Sequence, residues 1–136
     1  MMTQSEASAR LRSYRCKQGE CRARIASLDV RIARLWSAYD RVGSASSELR
    51  QHGFSHTVKL QSGRTWTGSL KRTFDDKAGE ISPELSSYLS RVDDCRDAIR
   101  EEIRRLENEK TEQNGLIGWF QARWNDLSSW MDQTFN

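Results

Sequence analysis

The sequence is poor in residues that interrupt helices and in long apolar runs. One proline and eight glycines among 136 residues argue against a loop-rich fold. The longest apolar cluster, Leu116 to Phe120, is far shorter than the roughly 18 residues of a membrane span. The polar N-terminus lacks the apolar core of a cleavable signal peptide. We therefore expect one helical domain that is cytoplasmic, or that leaves the cell by a route without such a peptide.

The sequence also lacks the groups on which catalytic and metal sites depend. Three cysteines cannot all pair within one chain, which argues against a disulfide scaffold. The histidines, His52 and His56, have no cysteine or carboxylate cluster beside them, and a metal site needs three or four ligands. No nucleophile is accompanied by a base and an orienting group. We expect no enzyme activity, no metal and no cofactor.

Charge is modest overall, at +3, but it is distributed unevenly. Residues 1–50 contain ten Lys or Arg against five Asp or Glu, whereas residues 66–113 contain nine against twelve. Opposite excess charge suits two helices that lie side by side. Basic residues are interspersed with acidic ones, so no concentrated positive face is available for nucleic acid, and we expect none to bind.

The first half of the chain repeats apolar residues at coiled-coil spacing, alternately three and four residues apart. This pattern predicts a helix from residue 5 to residue 50. Val30 and Trp36 fall beside the seam and widen its apolar face. The seam consists of Leu11, Tyr14, Gln18, Cys21, Ile25, Leu28, Ile32, Leu35, Tyr39, Val42, Ser46 and Leu49.

A second helical seam follows a segment rich in loop residues. Residues 51–65 contain Gly53 and Gly63 and are predicted as a loop, and residues 66–113 are predicted as the second helix. Pro83 predicts a kink or a one-turn break. The second seam consists of Trp66, Leu70, Phe74, Ala78, Ile81, Leu85, Tyr88, Val92, Cys95, Ile99, Ile103 and Leu106.

Folding the two seams together predicts an all-α fold, a long antiparallel helical hairpin over residues 1–113. The register that matches most seam residues places Leu49 opposite Trp66, with the turn within residues 51–65. Further pairs in that register are Ile25 with Val92, Cys21 with Cys95, Tyr14 with Ile103, and Leu11 with Leu106. Cys21 and Cys95 are therefore a possible thiol pair.

The last segment, residues 114–136, is predicted as a separate amphipathic helix rich in tryptophan. Asn114 and Gly115 predict the end of the hairpin helix. The stripe that follows can dock on a partner, fold back on the hairpin or lie at a membrane surface. It contains Leu116, Phe120, Trp124, Leu127 and Met131.

A two-helix hairpin buries only a stripe of each helix, so apolar residues remain exposed. Val30, Ile32, Trp36 and Leu89 are candidates for that exposed surface, together with the C-terminal aromatic residues. We therefore expect binding to a helical partner. Two other interpretations stay open, a self-associating coiled-coil structural protein and a membrane-surface protein that acts through its C-terminal segment.

The Trp66-Thr67-Gly68 motif near the turn, followed by Leu70 and Phe74, resembles the WXG-type helical hairpins of Gram-positive type VII secretion. More closely, residues 5–110 look like the small partner proteins encoded beside LXG-domain toxins, which share an aromatic segment in the first helix. The resemblance implies a targeting factor or chaperone for the N-terminal helical domain of a secreted effector, with or without a second small helical partner.

One departure from the family concerns export. No Tyr or Phe is followed four residues later by an acidic residue after the second helix, because Tyr88 precedes Val92 and Phe120 precedes Trp124. The protein is therefore either co-exported or an adaptor that stays behind.

The residues predicted to contact a partner are aromatic residues of both halves and the glycine of the motif. Trp66 has an alternative role as a core residue that covers the end of the hairpin. The predicted set is Trp36, Tyr39, Trp66, Gly68, Phe74, Trp119, Phe120, Trp124 and Trp130.

Overall fold

The fold is built from two long α-helices in a computed structural model of the chain. The structure describes residues 2–61 and 69–136, with the side chains of these residues except those of 52–61, 69–71, 74 and 78. Helix α1 spans Gln4–Gln61 and helix α2 spans Ser69–Phe135. The described residues include no β-strand. The predicted all-α helical hairpin is confirmed.

Helix α1 begins at a capping box. The Thr3 hydroxyl accepts a hydrogen bond from the backbone N–H of Glu6 at 3.1 Å, and the Glu6 carboxylate accepts one from the N–H of Thr3 at 3.1 Å. This reciprocal pair satisfies two backbone donors that the first helical turn leaves without partners. The helix continues to Gln61, so the prediction that it ends at residue 50 is wrong.

Helix α2 continues through both positions at which the sequence predicts an interruption. It passes Pro83 without a break, and it passes Asn114 and Gly115 into the tryptophan-rich tail. A proline inside a helix collides with the carbonyl four residues before it, here that of Gly79, whose backbone is the easiest to adjust. The segment 114–136 is therefore the last part of α2 and not a separate helix.

The two helices form two compact units, each made of one part of α1 and one part of α2. The N-terminal unit comprises Met1–Arg34 and Ile103–Asn136, and the middle unit comprises Leu35–Glu102. In each unit the segments of α1 and α2 run antiparallel. The N-terminal unit joins the first part of α1 to the last part of α2, and the middle unit joins the last part of α1 to the first part of α2.

Contacts in the N-terminal unit establish the register of the helices there. The rings of Tyr14 and Phe120 lie 6.3 Å apart, and Arg24 donates a hydrogen bond to Glu109 at 2.9 Å. The predicted pairing of Tyr14 with Ile103 is therefore wrong. Phe120 lies 17 residues after Ile103, about five helical turns, and an apolar seam presents the same face after each turn, so periodicity alone does not distinguish these registers.

The cysteines follow this register. Both Cys21 and Cys95 are free thiols, the first buried in the N-terminal unit and the second exposed in the middle unit. The predicted thiol pair was a consequence of the wrong register, and the contacts within each unit give it no support.

The core of the N-terminal unit combines apolar side chains with one amide. Leu28 and Leu106 are fully buried and Ile103 is 2% exposed. Burial of an aliphatic side chain stabilises a fold by about 1.5–3 kcal/mol. Gln18 is also fully buried, and its Nε2 donates to the backbone oxygen of Ile117 at 3.2 Å and to Oε1 of Gln121 at 3.0 Å. Both acceptors lie beyond residue 114, so the tail is part of this core.

Truncation after Asn114 is expected to destabilise the protein strongly. Gln18 would lose both of its acceptors on α2, and Tyr14 would lose Phe120. Each lost hydrogen bond has a net value of about 0.5–1.5 kcal/mol, and the lost ring packing adds about 0.5–1.5 kcal/mol. Thermal unfolding followed by circular dichroism should show a midpoint lowered by about 6–10 °C, as about 2 kcal/mol implies for a chain of this size.

The matched control is Trp119→Ala, which removes the most exposed tryptophan of the tail and should leave the midpoint nearly unchanged. If the truncated chain keeps the unfolding midpoint of the full chain, residues 115–136 do not belong to the core.

Candidate partner-binding surfaces

An apolar hollow of about 270 Å³ lies between the two helices of the middle unit. Leu49 is 37% exposed and Tyr88 is 51% exposed at this hollow, whereas Leu89 is buried beneath them. Apart from the Ser46 hydroxyl and the Cys95 thiol, the lining side chains are hydrophobic or aromatic. The lining residues are Val42, Ala45, Ser46 and Leu49 of α1, and Tyr88, Leu89, Val92 and Cys95 of α2.

The hollow exists because small side chains occupy the α1 side of the seam. Ala45 and Ser46 fill less space than the leucines that occupy seam positions elsewhere on α1, and Ser46 is nevertheless buried. Space left between two helices in this way can accept an apolar side chain from a third helix. In the middle unit, Ser46 and Leu89 are the buried residues among those whose side chains are described.

Ion-paired side chains flank this hollow. Arg50 and Asp93 form a salt bridge between the helices at 2.5 Å, and both side chains remain nearly half exposed. An apolar centre with a polar rim is the usual composition of a protein interface.

Trp36 and Tyr39 form an aromatic pair on α1 of the middle unit. Their rings are perpendicular, with centroids 5.5 Å apart, and Trp36 is 38% exposed. The Arg96 guanidinium of α2 lies 4.0 Å from the Tyr39 ring centroid, and its Nε donates to the Tyr39 backbone oxygen at 3.3 Å. Tyr39 is thus part of the contact between the helices, whereas Trp36 remains available to a partner.

Gly43 makes room for this arginine. A Cβ atom at Gly43 would lie 2.7 Å from Cζ of Arg96, well inside van der Waals contact. A methyl group at residue 43 would require the Arg96 guanidinium to shift from its place across α1. Sequence analysis missed both Gly43 and Arg96, because only the observed register brings them together.

The tail aromatic residues have different roles in the N-terminal unit. Phe120 and Trp124 are half-buried, and the guanidinium of Arg15 stacks on the Trp124 ring at 4.1 Å. These two rings pack against α1. Trp130 is also half-buried, with its ring 5.6 Å from that of Phe135.

Trp119 is the tail residue most accessible to a partner. It is 49% exposed, it contacts the Phe120 ring edge-to-face at 5.1 Å, and it lies beneath the Arg123 guanidinium at 5.0 Å. Leu116, one turn before it, is 43% exposed.

The candidates for exposed apolar surface are only partly correct. Val30 and Trp36 are exposed, whereas Leu89 is 3% exposed and belongs to the core. Trp66 and Gly68 lie outside the described residues, and Phe74 lies in α2 with a side chain that the structure does not describe. The partner contacts predicted for these three residues stay predictions.

The described chain is a helical hairpin with exposed apolar surface in each of its units. A family model described as YwqH-like matches residues 9–128. The chain therefore belongs to the YwqH-like family. No curated protein matches it, and no solved structure matches it. Within residues 2–61 and 69–136, neither helix contains a stretch that is long and apolar enough to cross a membrane.

Two glycine substitutions on α1 are expected to differ in their effect on stability. Gly19→Ala places a methyl group where no atom lies within 4 Å, so it should stabilise the helix by about 0.5–1 kcal/mol. Gly43→Ala should gain the same helix propensity but displace Arg96 from Tyr39. The lost cation–π contact, about 0.5–1 kcal/mol, and hydrogen bond, about 0.5–1.5 kcal/mol, should cancel or exceed the gain.

Urea unfolding of the two variants measures this difference directly. Arg96→Gln serves as a reference, because Gly43→Ala should have no further cost in that background. Equal stabilisation by both alanine substitutions would show that Arg96 does not depend on the space at Gly43.

Proposed function

We propose that this protein is a non-enzymatic adaptor that binds the N-terminal helical domain of a secreted effector and promotes its export by type VII secretion. Membership of the YwqH-like family is consistent with a role outside catalysis. The finer assignment rests on the resemblance of Trp66-Thr67-Gly68 and the paired helices to the small proteins encoded beside LXG toxins. In this proposal the protein acts in the cytoplasm before export, with or without a second small helical partner.

The apolar hollow of the middle unit is the observation that carries the proposal. A helical partner presents side chains every three or four residues, and one such side chain can enter the space beside Ala45 and Ser46. Burial of one leucine or phenylalanine there contributes about 1.5–3 kcal/mol. Leu49 and Tyr88, which are exposed in the free chain, would be covered at the same time.

Trp36 extends the proposed contact along α1. Its ring is held edge-to-face by Tyr39, so little conformational freedom remains to be lost on binding. Buried tryptophans are among the residues that contribute most to interfaces. Export itself requires a signal that the described tail does not supply, since Phe120 is followed by Trp124 four residues later. The effector, or a second partner, would supply it.

Ala45→Lys is expected to weaken the complex by placing a charged side chain in the hollow. The test uses the full chain and the N-terminal helical domain of an LXG toxin, with affinity measured by titration calorimetry. Because the lysine would have to leave the hollow or be buried, Kd should rise at least roughly tenfold, about 1.4 kcal/mol. Ala45 is exposed, so the stability of the free chain should change by no more than about 0.5 kcal/mol.

Ala33→Lys is the matched control, since Ala33 is an exposed alanine of the same helix and does not line the hollow. It should leave Kd unchanged. If the unaltered chain does not bind the effector domain, the proposed function is wrong. If it binds and Ala45→Lys has no effect, the function stands and the hollow is not the site.

A further inference from the structure

A second surface lies on α2 of the N-terminal unit, on the side turned away from α1. It consists of Glu112, Gly115, Leu116, Trp119 and Arg123, and we call it the tail ridge. Glu112, Leu116, Trp119 and Arg123 are separated by four, three and four positions, so they follow one face of the helix, and Gly115 lies next to Leu116. Leu116 and Trp119 are 43% and 49% exposed, which leaves a leucine and a tryptophan in water.

The tail ridge contains the hole of a knobs-into-holes contact. Such a hole is bounded by four residues of one helix, at positions i, i+3, i+4 and i+7. Here they are Glu112, Gly115, Leu116 and Trp119, which line an open apolar hollow together with Phe120. Gly115 contributes no side chain, and a Cβ atom built there would meet nothing within 4 Å. The space above Gly115 is therefore open to a side chain of another molecule.

The two charged residues of the tail ridge lie at its opposite ends. Other charged residues of this unit pair across the helices, as Arg24 does with Glu109 and Lys110 with Asp29. Among the described residues, neither Glu112 nor Arg123 takes part in an ion pair. Arg123 stacks on the Trp119 ring of its own chain, 5.0 Å from the ring centroid, and both charges can still meet an opposite charge supplied by another molecule.

We propose that the tail ridge binds the tail ridge of a second copy of this chain, through an antiparallel contact with two-fold symmetry. In this contact Trp119 of each copy enters the hole around Gly115 of the other copy. Arg123 of each copy then lies beside Glu112 of the other, because these residues are equally far from the midpoint between Leu116 and Trp119. A single two-fold axis therefore places each Trp119 in the hole of the other copy and each Arg123 beside a Glu112.

The charge pattern identifies the second copy as the occupant. A two-fold interface must be complementary to itself, so each group that needs a partner must find it on the same surface. The tail ridge contains the tryptophan and the hole that accepts it, and the cation and the anion that pair with each other. A helix of an unrelated protein would have to present a large side chain, a hole, a cation and an anion in the opposite order along its axis.

Charge reversal at either end of the tail ridge is expected to weaken self-association. In an antiparallel dimer, Glu112→Arg makes two cations face each other at both ends, and Arg123→Glu makes two anions do so. Each variant alone should self-associate at least roughly tenfold more weakly than the unaltered chain. In a parallel dimer, like charges would already face each other in the unaltered chain, so neither reversal would weaken it.

An equimolar mixture of the two charge-reversal variants is expected to recover the dimer. At one end of the mixed dimer, the arginine introduced at position 112 lies beside the glutamate introduced at position 123 of the other copy. At the other end, the unaltered Arg123 and Glu112 meet as they do in the original contact. Both ends therefore join opposite charges again.

Sedimentation velocity of the full chain at low salt measures each of these states. Glu107→Arg is the control for net charge, because Glu107 is exposed and lies off the tail ridge. Gly115→Leu should also weaken the dimer at least roughly tenfold, since it fills the hole. It raises helix propensity, so the loss could not be attributed to unfolding.

A monomeric unaltered chain at high concentration would overturn the proposal, as would a dimer that both charge reversals leave intact or a mixture that stays monomeric. Binding of the effector domain gives a separate readout. If Trp119→Ala weakens that binding while the dimer persists, the tail ridge is an effector site and the proposal is wrong. If the effector domain does not bind at all but the dimer behaves as expected, only the proposed function fails.

Discussion

The register of the antiparallel helices is the constraint on which the other features depend, and a buried amide marks it in the N-terminal unit. An apolar heptad seam tolerates sliding, because leucine against leucine is favourable in many alignments. Gln18 does not tolerate it. Fully buried, it needs acceptors, and it finds them on Ile117 and Gln121. A slide of one heptad would separate Gln18 from both acceptors, with a net loss of about 0.5–1.5 kcal/mol for each hydrogen bond.

A similar constraint acts in the middle unit through a different chemistry. Arg96 reaches the ring and backbone oxygen of Tyr39 by crossing α1 at Gly43, where there is no side chain. This alignment brings the small residues of α1, Ala45 and Ser46, opposite Tyr88 and Leu89, and the hollow results. The candidate binding site is thus a consequence of the helix pairing. A substitution that changes the register would be expected to remove the hollow even if every lining residue were kept.

The sequence predicts the helices and their apolar faces well, because periodicity is a local property. Leu28, Ile103 and Leu106, all seam residues, are buried as expected. Register and helix ends are less predictable. Glycine is common at helix ends, yet α2 continues through Gly115. A glycine inside a helix costs about 1 kcal/mol relative to alanine. Packing of Leu106 before it and of Trp124 after it outweighs this cost. The hollow and the pairing of Gly43 with Arg96 follow from register, so neither could be derived from spacing alone.

Residue type also fails to separate the structural aromatic residues from those available to a partner. Trp119 and Trp124 lie five residues apart and differ little in sequence context, but five residues turn a helix by well over a quarter of a circle. Trp124 therefore meets Arg15 of α1, whereas Trp119 lies 49% exposed beside Gly115. The half-buried Trp124 therefore supports the pairing of the helices, whereas Trp119 makes the free surface of the same tail apolar.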